Sequence, residues 1–208
     1  MQKIDMQNWV RREHFEFYKN FDEPFFGLVA DLDCTRLYET CKKEGLSFFL
    51  KYLHKTAESI NQIEAFKCRI QGDNVVCFDT IHVSATVARQ DHSFAFTFIE
   101  FSADYEEFRL VAEKEIEAVR NSCGLRVTEN SERPDTIHFS ALPWVRFTAI
   151  SHPRNYRISD SIPKISFGQR YRHNKQHRVP VSIHAHHGLA DGYHAGLFFE
   201  YLQNLLNT

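Results

Sequence analysis

The chain has little of what would mark it for a nucleic acid, a membrane or a disulfide framework. Its 208 residues carry 25 Lys and Arg against 27 Asp and Glu, so there is no cationic excess to draw a polyanion. No apolar run reaches bilayer-spanning length, and the opening residues MQKIDMQNWVRREHFEFY lack the apolar core of a signal peptide. The five cysteines, Cys34, Cys41, Cys68, Cys77 and Cys123, are odd in number and include no CxxC pair. That pattern points away from both a disulfide scaffold and a thiolate zinc site, and reduced thiols in a cytoplasmic protein are the expectation. Internal repeats, low-complexity tracts and long linkers are missing, as are a Gly-x-Ser-x-Gly elbow and a His-Glu-x-x-His helix. One domain over residues 1–208 is expected, large enough to bury a core without metal or disulfide.

Aromatic residues, by contrast, are abundant. Nineteen phenylalanines are enough for a thick core, an apolar pocket or a subunit interface. FFGLVADLD (25–33) reads as a strand, and CTRLYETCKKEG (34–45) as a short helix with Thr35 as its cap and Gly45 as its stop. Over 46–62, Phe49, Leu50, Leu53 and Ala57 recur at helical spacing. AFKCRI and VVCFDT flank a Gly-Asp-Asn turn and predict a hairpin. HVSATVARQ (82–90) continues the strand pattern, and in SFAFTFIEF (93–101) Phe94, Phe96 and Phe98 alternate with small residues, as in a two-faced strand.

The second half continues in the same way. Residues 103–122 form an amphipathic helix with Phe108, Val111, Ile116 and Val119 on its stripe. TIHFSALPWVRFTAI (136–150) is a strand broken at Leu142-Pro143, and KISFGQRYR (164–172) is another. RVPVSIHAHH (178–187) follows, with Pro180 placing that end at an edge or a strand start. A closing helix in DGYHAGLFFEYLQNLLNT buries Leu197, Phe198, Tyr201, Leu202 and Leu205. The pattern predicts an α+β domain with a mostly antiparallel sheet.

The chemistry concentrates in HAHHGLADGYHAG (184–196). On a strand His184 and His186 point to one face and His187 to the other, which suits no metal, so none is expected. His187 ends the strand just before a short loop and an Asp-Gly that opens a helix. An imidazole at such a position is suited to general-base work, because histidine side chains as a class exchange protons near neutral pH. Asp191 could orient that histidine, cap the helix or pair elsewhere. Without an activated serine or cysteine nearby, the base would act on a substrate hydroxyl or on water. A zinc protein and a non-catalytic binding protein are the rival readings.

HHGLADGYH resembles the HHxxxDG signature of the chloramphenicol acetyltransferases. NWVRREHFEFY (8–18) resembles that family's W-x-R-x-E-H-F segment, and FSALPWVRF (139–147) its S-A-x-P-W-x-x-F segment. The three span the whole chain. The resemblance implies a two-layer sandwich whose mixed, mostly antiparallel sheet is flanked by helices. It implies His187 as general base, Ser140 as oxyanion donor, and Arg11 with Asp191 as a structural ion pair. Phe17, Tyr18, Thr86 and Ser166 would contact the acceptor. The implied reaction moves acetyl from acetyl-CoA to a hydroxyl of chloramphenicol, an antibiotic-resistance activity, by direct attack in a ternary complex without metal. A different small hydroxylated acceptor is the alternative. The implied assembly is a homotrimer with active sites between subunits, and neither nucleic acid nor membrane is an implied partner. His138 stands where the family has asparagine, and Gln169-Arg170 where it has Lys-Tyr. KNFDEPFFG after Tyr18 and SHPRNYRISDSIP (151–163) also depart from its pattern.

Overall fold

The computed structural model describes residues 1–208. Its strands are Gln2–Lys3 (β1), Phe25–Asp33 (β2), Cys68–Gln71 (β3), Asn74–Cys77 (β4), His82–Ala88 (β5), Phe94–Phe96 (β6), Thr136–Ala141 (β7), Lys164–Phe167 (β8), Tyr171–His173 (β9) and Gln176–His186 (β10). Its helices are Arg12–Tyr18 (α1), Thr35–Glu44 (α2), Phe48–Asn61 (α3), Glu64–Lys67 (α4), Tyr105–Arg120 (α5) and Gly192–Leu206 (α6). The main sheet runs β2-β10-β8-β7-β5-β6, with β9 beside the start of β10, and β1-β4-β3 form a small second sheet. Only β5–β7 and β7–β8 pair in parallel, so the sheet is mixed and mostly antiparallel. No helix is long and apolar enough to cross a membrane.

Strand alternation gives the main sheet two unlike faces. Val83, Ile137, Phe139, Ile165, Phe167, Val181 and Ile183 are buried on one face, in a core shared with Leu53 and Ile60 of α3 and Phe198 and Leu202 of α6. The other face is polar. Register places Ser140 beside Ser166 and Ser166 beside Ser182 in one row. In the adjacent row Ser84, His138, Lys164 and His184 follow one another across four strands. From these two rows Ser84, His138, Ser140 and Lys164 line a cavity.

Several local expectations are corrected. Thr35 does not cap α2; its N–H and hydroxyl both donate to the Asp33 carboxylate, at 2.9 and 2.6 Å. Gly45 does end the helix, at φ 69°, where a Cβ would be strained. The alternation over Phe94–Phe98 holds, and its core side is Ala95, Thr97 and Ile99, while Phe94 is exposed. Along α5 the buried stripe is Phe108, Ala112 and Val119, and Val111 lies off its centre and is exposed. In α6, Ala195, Phe198, Leu202 and Leu206 are the fully buried positions, with Leu197, Tyr201 and Leu205 only half-buried.

The five cysteines are not all reduced. Cys68 and Cys77 face each other across the β3–β4 hairpin and are joined by a disulfide, a pairing set by register and invisible in a cysteine count. Pro180 lies inside β10, between two neighbouring strands. Its carbonyl accepts from the Gly168 amide at 2.9 Å, on the side where β8 has ended and β9 has not begun. The missing proline N–H therefore falls in a gap in the ladder, which is how a central strand tolerates it.

Gly168 makes that gap possible. A Cβ there would lie 2.6 Å from Cγ of Pro180 and 2.9 Å from the Val145 carbonyl oxygen. Gly168→Ala is expected to destabilise the protein by about 1–3 kcal/mol through overpacking, read as a lower urea midpoint.

Candidate active site

His187 is placed by the end of β10. Its amide donates to the Pro24 carbonyl at 2.8 Å, and the amides of Leu189 and Ala190 turn back onto the His186 carbonyl at 2.9 and 3.1 Å. The imidazole stacks flat on Tyr18, with centroids 4.3 Å apart, and tilts against Phe26 at 4.8 Å. Its Nδ1 is buried without a hydrogen-bond partner in the chain. Packing, and not a carboxylate, therefore orients this ring. Below the loop, Leu189 joins Phe15 of α1 and the Cys68–Cys77 hairpin in a small second core.

Of the three roles open to Asp191, it takes two. It caps α6 by accepting from the Tyr193 amide at 3.0 Å, and it pairs with Arg11 Nη1 at 2.6 Å. Arg11 Nη2 also donates to the His187 carbonyl, at 3.2 Å. Burial works to raise the Asp191 pKa, but hydrogen bonds from Arg11 and His194 and the Arg11 charge outweigh it and hold the carboxyl well below the usual range. The other histidines of the cluster have structural partners. His186 is buried and accepts from the Gly188 amide at 3.1 Å; burial, then the Arg154 charge, push its pKa down to about 4. The His194 ring meets Asp191 Oδ1 at 2.8 Å, and His184 packs edge-on against His152 at 4.8 Å.

Ser140 lies elsewhere, on β7. Its Oγ accepts from Thr86 Oγ1 at 3.4 Å beside a cavity of about 640 Å³. Phe94, Phe96 and Trp144 wall one part of this cavity, and His138, His152 and Lys164 another. A second cavity of about 700 Å³, with Phe49, Ile116 and Arg120 in its walls, adjoins it through the shared residues Thr86, Ala88, Ala141 and Trp144. Ser166 is fully buried with its Oγ partnerless.

The candidate residues thus fall into two groups. Arg11, Tyr18, His187 and Asp191 come together, with Phe17 exposed and edge-on to Tyr18 at 5.0 Å. Ser140, Thr86 and, through sheet register, Ser166 form the other group. His187 is absent from the walls of the Ser140 cavity, and no hydrogen bond links the two groups. Sequence reasoning passed over Pro24 and Phe26, which seat His187, and Lys164, which lines the cavity. Lys164 was within reach: it lies two residues before Ser166, hence on the same face of the strand.

A family model described as "Chloramphenicol acetyltransferase" matches residues 1–203. The chain belongs to the chloramphenicol acetyltransferase family. It is 27% identical over 207 residues to chloramphenicol acetyltransferase 3 of Escherichia coli, covering 99% of this chain and 97% of that one. It is 28% identical over 213 residues to the Campylobacter coli chloramphenicol acetyltransferase, covering 99% and 98%. A solved chloramphenicol acetyltransferase, 29% identical, superposes with a TM-score of 0.91 over 99% of this chain and all of that one. The dihydrolipoamide acetyltransferase of Azotobacter vinelandii shares the fold alone, at 17% identity and a TM-score of 0.68 over 94% of this chain and 86% of that one. Membership of the chloramphenicol acetyltransferase family places the chain among the CoA-dependent acyltransferases.

Proposed function

We propose that residues 1–208 form one cytoplasmic acetyltransferase domain that moves acetyl from acetyl-CoA to a hydroxyl of chloramphenicol, within a homotrimer. The observation that carries this reading is the division of the site. His187 is oriented by Tyr18 and Phe26 but lies away from Ser140, which opens on a cavity containing no histidine of the 184–194 cluster. A second copy of the chain would complete each half, and the exposed Phe17, Leu28, Phe94, Trp144 and Val145 supply apolar surface for that contact.

In this reading His187 removes the proton of the acceptor hydroxyl, and Ser140 Oγ donates a hydrogen bond to the oxyanion that forms. Acetyl-CoA, when bound, supplies an acetyl group already activated as a thioester. Phe49, Ile116 and Pro143 in the adjoining cavity offer apolar walls to its arm, and Arg120 a cation for its phosphates. Thr86 holds Ser140, and Arg11 with Asp191 holds the His187 loop.

The test is thiol release from acetyl-CoA with and without chloramphenicol. Release that depends on chloramphenicol supports the reading, and its absence removes chloramphenicol as acceptor. Ser140→Ala is expected to lower kcat by about 10²- to 10³-fold, the usual cost of one oxyanion donor, with little change in KM. Trimers assembled from a mixture of Ser140→Ala and His187→Ala chains are expected to regain part of the lost activity. Each mixed trimer has one interface that pairs an intact serine with an intact histidine, and one of opposite polarity that pairs the two altered residues. No recovery in demonstrably mixed trimers would refute a shared site.

A further inference from the structure

We propose that the preferred acceptor carries a carboxylate, seated on Lys164, His138 and His152 while its hydroxyl lies at Ser140. The proposal rests on the acyl-transfer reading and names the acceptor class for that site.

Geometry comes first. His138, Lys164 and His184 form one cross-sheet row, and Ser140 and Ser166 form the next. The two rows are two residues apart along the strands, about 7 Å. A compact molecule can span them. The aromatic wall of Phe94, Phe96 and Trp144 suits an apolar body between its two polar ends.

The polar end of the cavity has unused capacity for an anion. Lys164 is buried; its ammonium donates to the Asp160 carboxylate and to the Ile162 carbonyl, which leaves one of its three N–H groups. His152 Nε2 is buried without a partner. Nothing in the chain hydrogen-bonds the His138 ring, and His138 lines the cavity.

Fixed charge points the same way. Asp160 offsets Lys164, and Glu23 offsets Arg154 at 2.6 Å. Behind them the fully buried Arg69 donates to four carbonyl oxygens and to no carboxylate, so one positive charge is left over. Asp135, the next nearest acid, is paired with Arg133 at 2.6 Å, and Glu132 lines the cavity as an exposed residue. Burial is the main reason both imidazoles are neutral, with a smaller contribution from nearby positive charge. Burial first, then Lys164, pushes His138 down to about 4; burial, then His184 and Lys164, does the same to His152. A carboxylate offsets that charge and accepts the idle donors through charge-assisted hydrogen bonds, whereas a neutral acceptor takes weaker hydrogen bonds and leaves the charge in place. Chloramphenicol in this account is a competent acceptor but not the best one.

The test compares 4-(hydroxymethyl)benzoate with its methyl ester, both as acceptors in thiol release and as ligands in calorimetry on the intact protein. The acid is expected to bind, and to react in kcat/KM, about tenfold better than the ester, as charge-assisted hydrogen bonds allow. Lys164→Met made together with Asp160→Asn, which leaves no unpaired carboxylate, is expected to bring the ratio close to unity. His138→Asn, a milder change, should lower it if the double variant fails to fold. An acid that binds no better than its ester in the wild-type protein overturns the proposal. If the acid, the ester and chloramphenicol all fail to elicit thiol release, that counts against acyl transfer itself, while calorimetry still decides the charge preference.

Discussion

His187→Ala is expected to lower kcat for acetyl transfer by about 10²- to 10⁴-fold, measured as acceptor-dependent thiol release. The size follows from the lack of a substitute base. His186 is buried with its Nδ1 committed to the Gly188 amide, His194 is tied to Asp191, and His184 packs on His152. Water admitted to the vacated space would be a weak base, so what remains is the contribution of Ser140 and of binding. KM is expected to move little, because the proton is taken only as the transition state forms. His187→Gln separates chemistry from packing. It keeps a planar group against Tyr18 and Phe26, so the unfolding midpoint should hold while kcat falls as in the alanine variant. A glutamine variant with near-wild-type kcat would show that His187 does no proton transfer.

The sequence made some of this legible because the deciding forces were local. β2 occupies 25–33 as read, and the 46–62 helix appears as Phe48–Asn61, since alternation and helical spacing act within single elements. Register and long-range pairing were not legible. The Cys68–Cys77 disulfide depends on which residues face each other across a hairpin, and Pro180 is admitted to a central strand by a gap between β8 and β9. Which face of the 93–101 strand meets the core was likewise not legible: the strand turns Phe94 and Phe96 toward a cavity that no local pattern announces. At the site, His187 stood out by its place at a strand end, Ser140 only through the family resemblance, and the tertiary structure shows that Ser140 opens on a cavity His187 does not line. Lys164 went unnoticed because a lysine in a short strand reads as a solvated edge until its neighbours His138 and His184 are known.

Asp191→Ala is expected to cost about 2–4 kcal/mol of stability, mainly by leaving Arg11 buried and uncompensated. The Arg11 side chain is 12% exposed and its Nε already lacks a partner, so solvent can do little for a guanidinium that loses its carboxylate. Loss of the α6 cap contributes about 1 kcal/mol of the total. Asp191→Asn should cost less, because its carbonyl oxygen can still accept from Tyr193.

Acid provides an independent check. The folded carboxyl is held below its unfolded value of about 3.9, so its stabilisation is fully present above pH 4 or so and fades as pH falls toward the depressed folded value. The gap between wild type and Asp191→Asn in urea midpoint should therefore narrow as pH is lowered through about 4 and below. Kinetics distinguish this scaffold role from a proton relay. Asp191 touches Arg11, Tyr193 and His194, and reaches His187 only through the Arg11 bond to its backbone carbonyl. Its removal should loosen the ring's placement and lower kcat by about tenfold, well short of the loss at His187. A loss in Asp191→Asn equal to that of His187→Ala, in protein that remains folded, would instead make the aspartate part of the catalytic proton path.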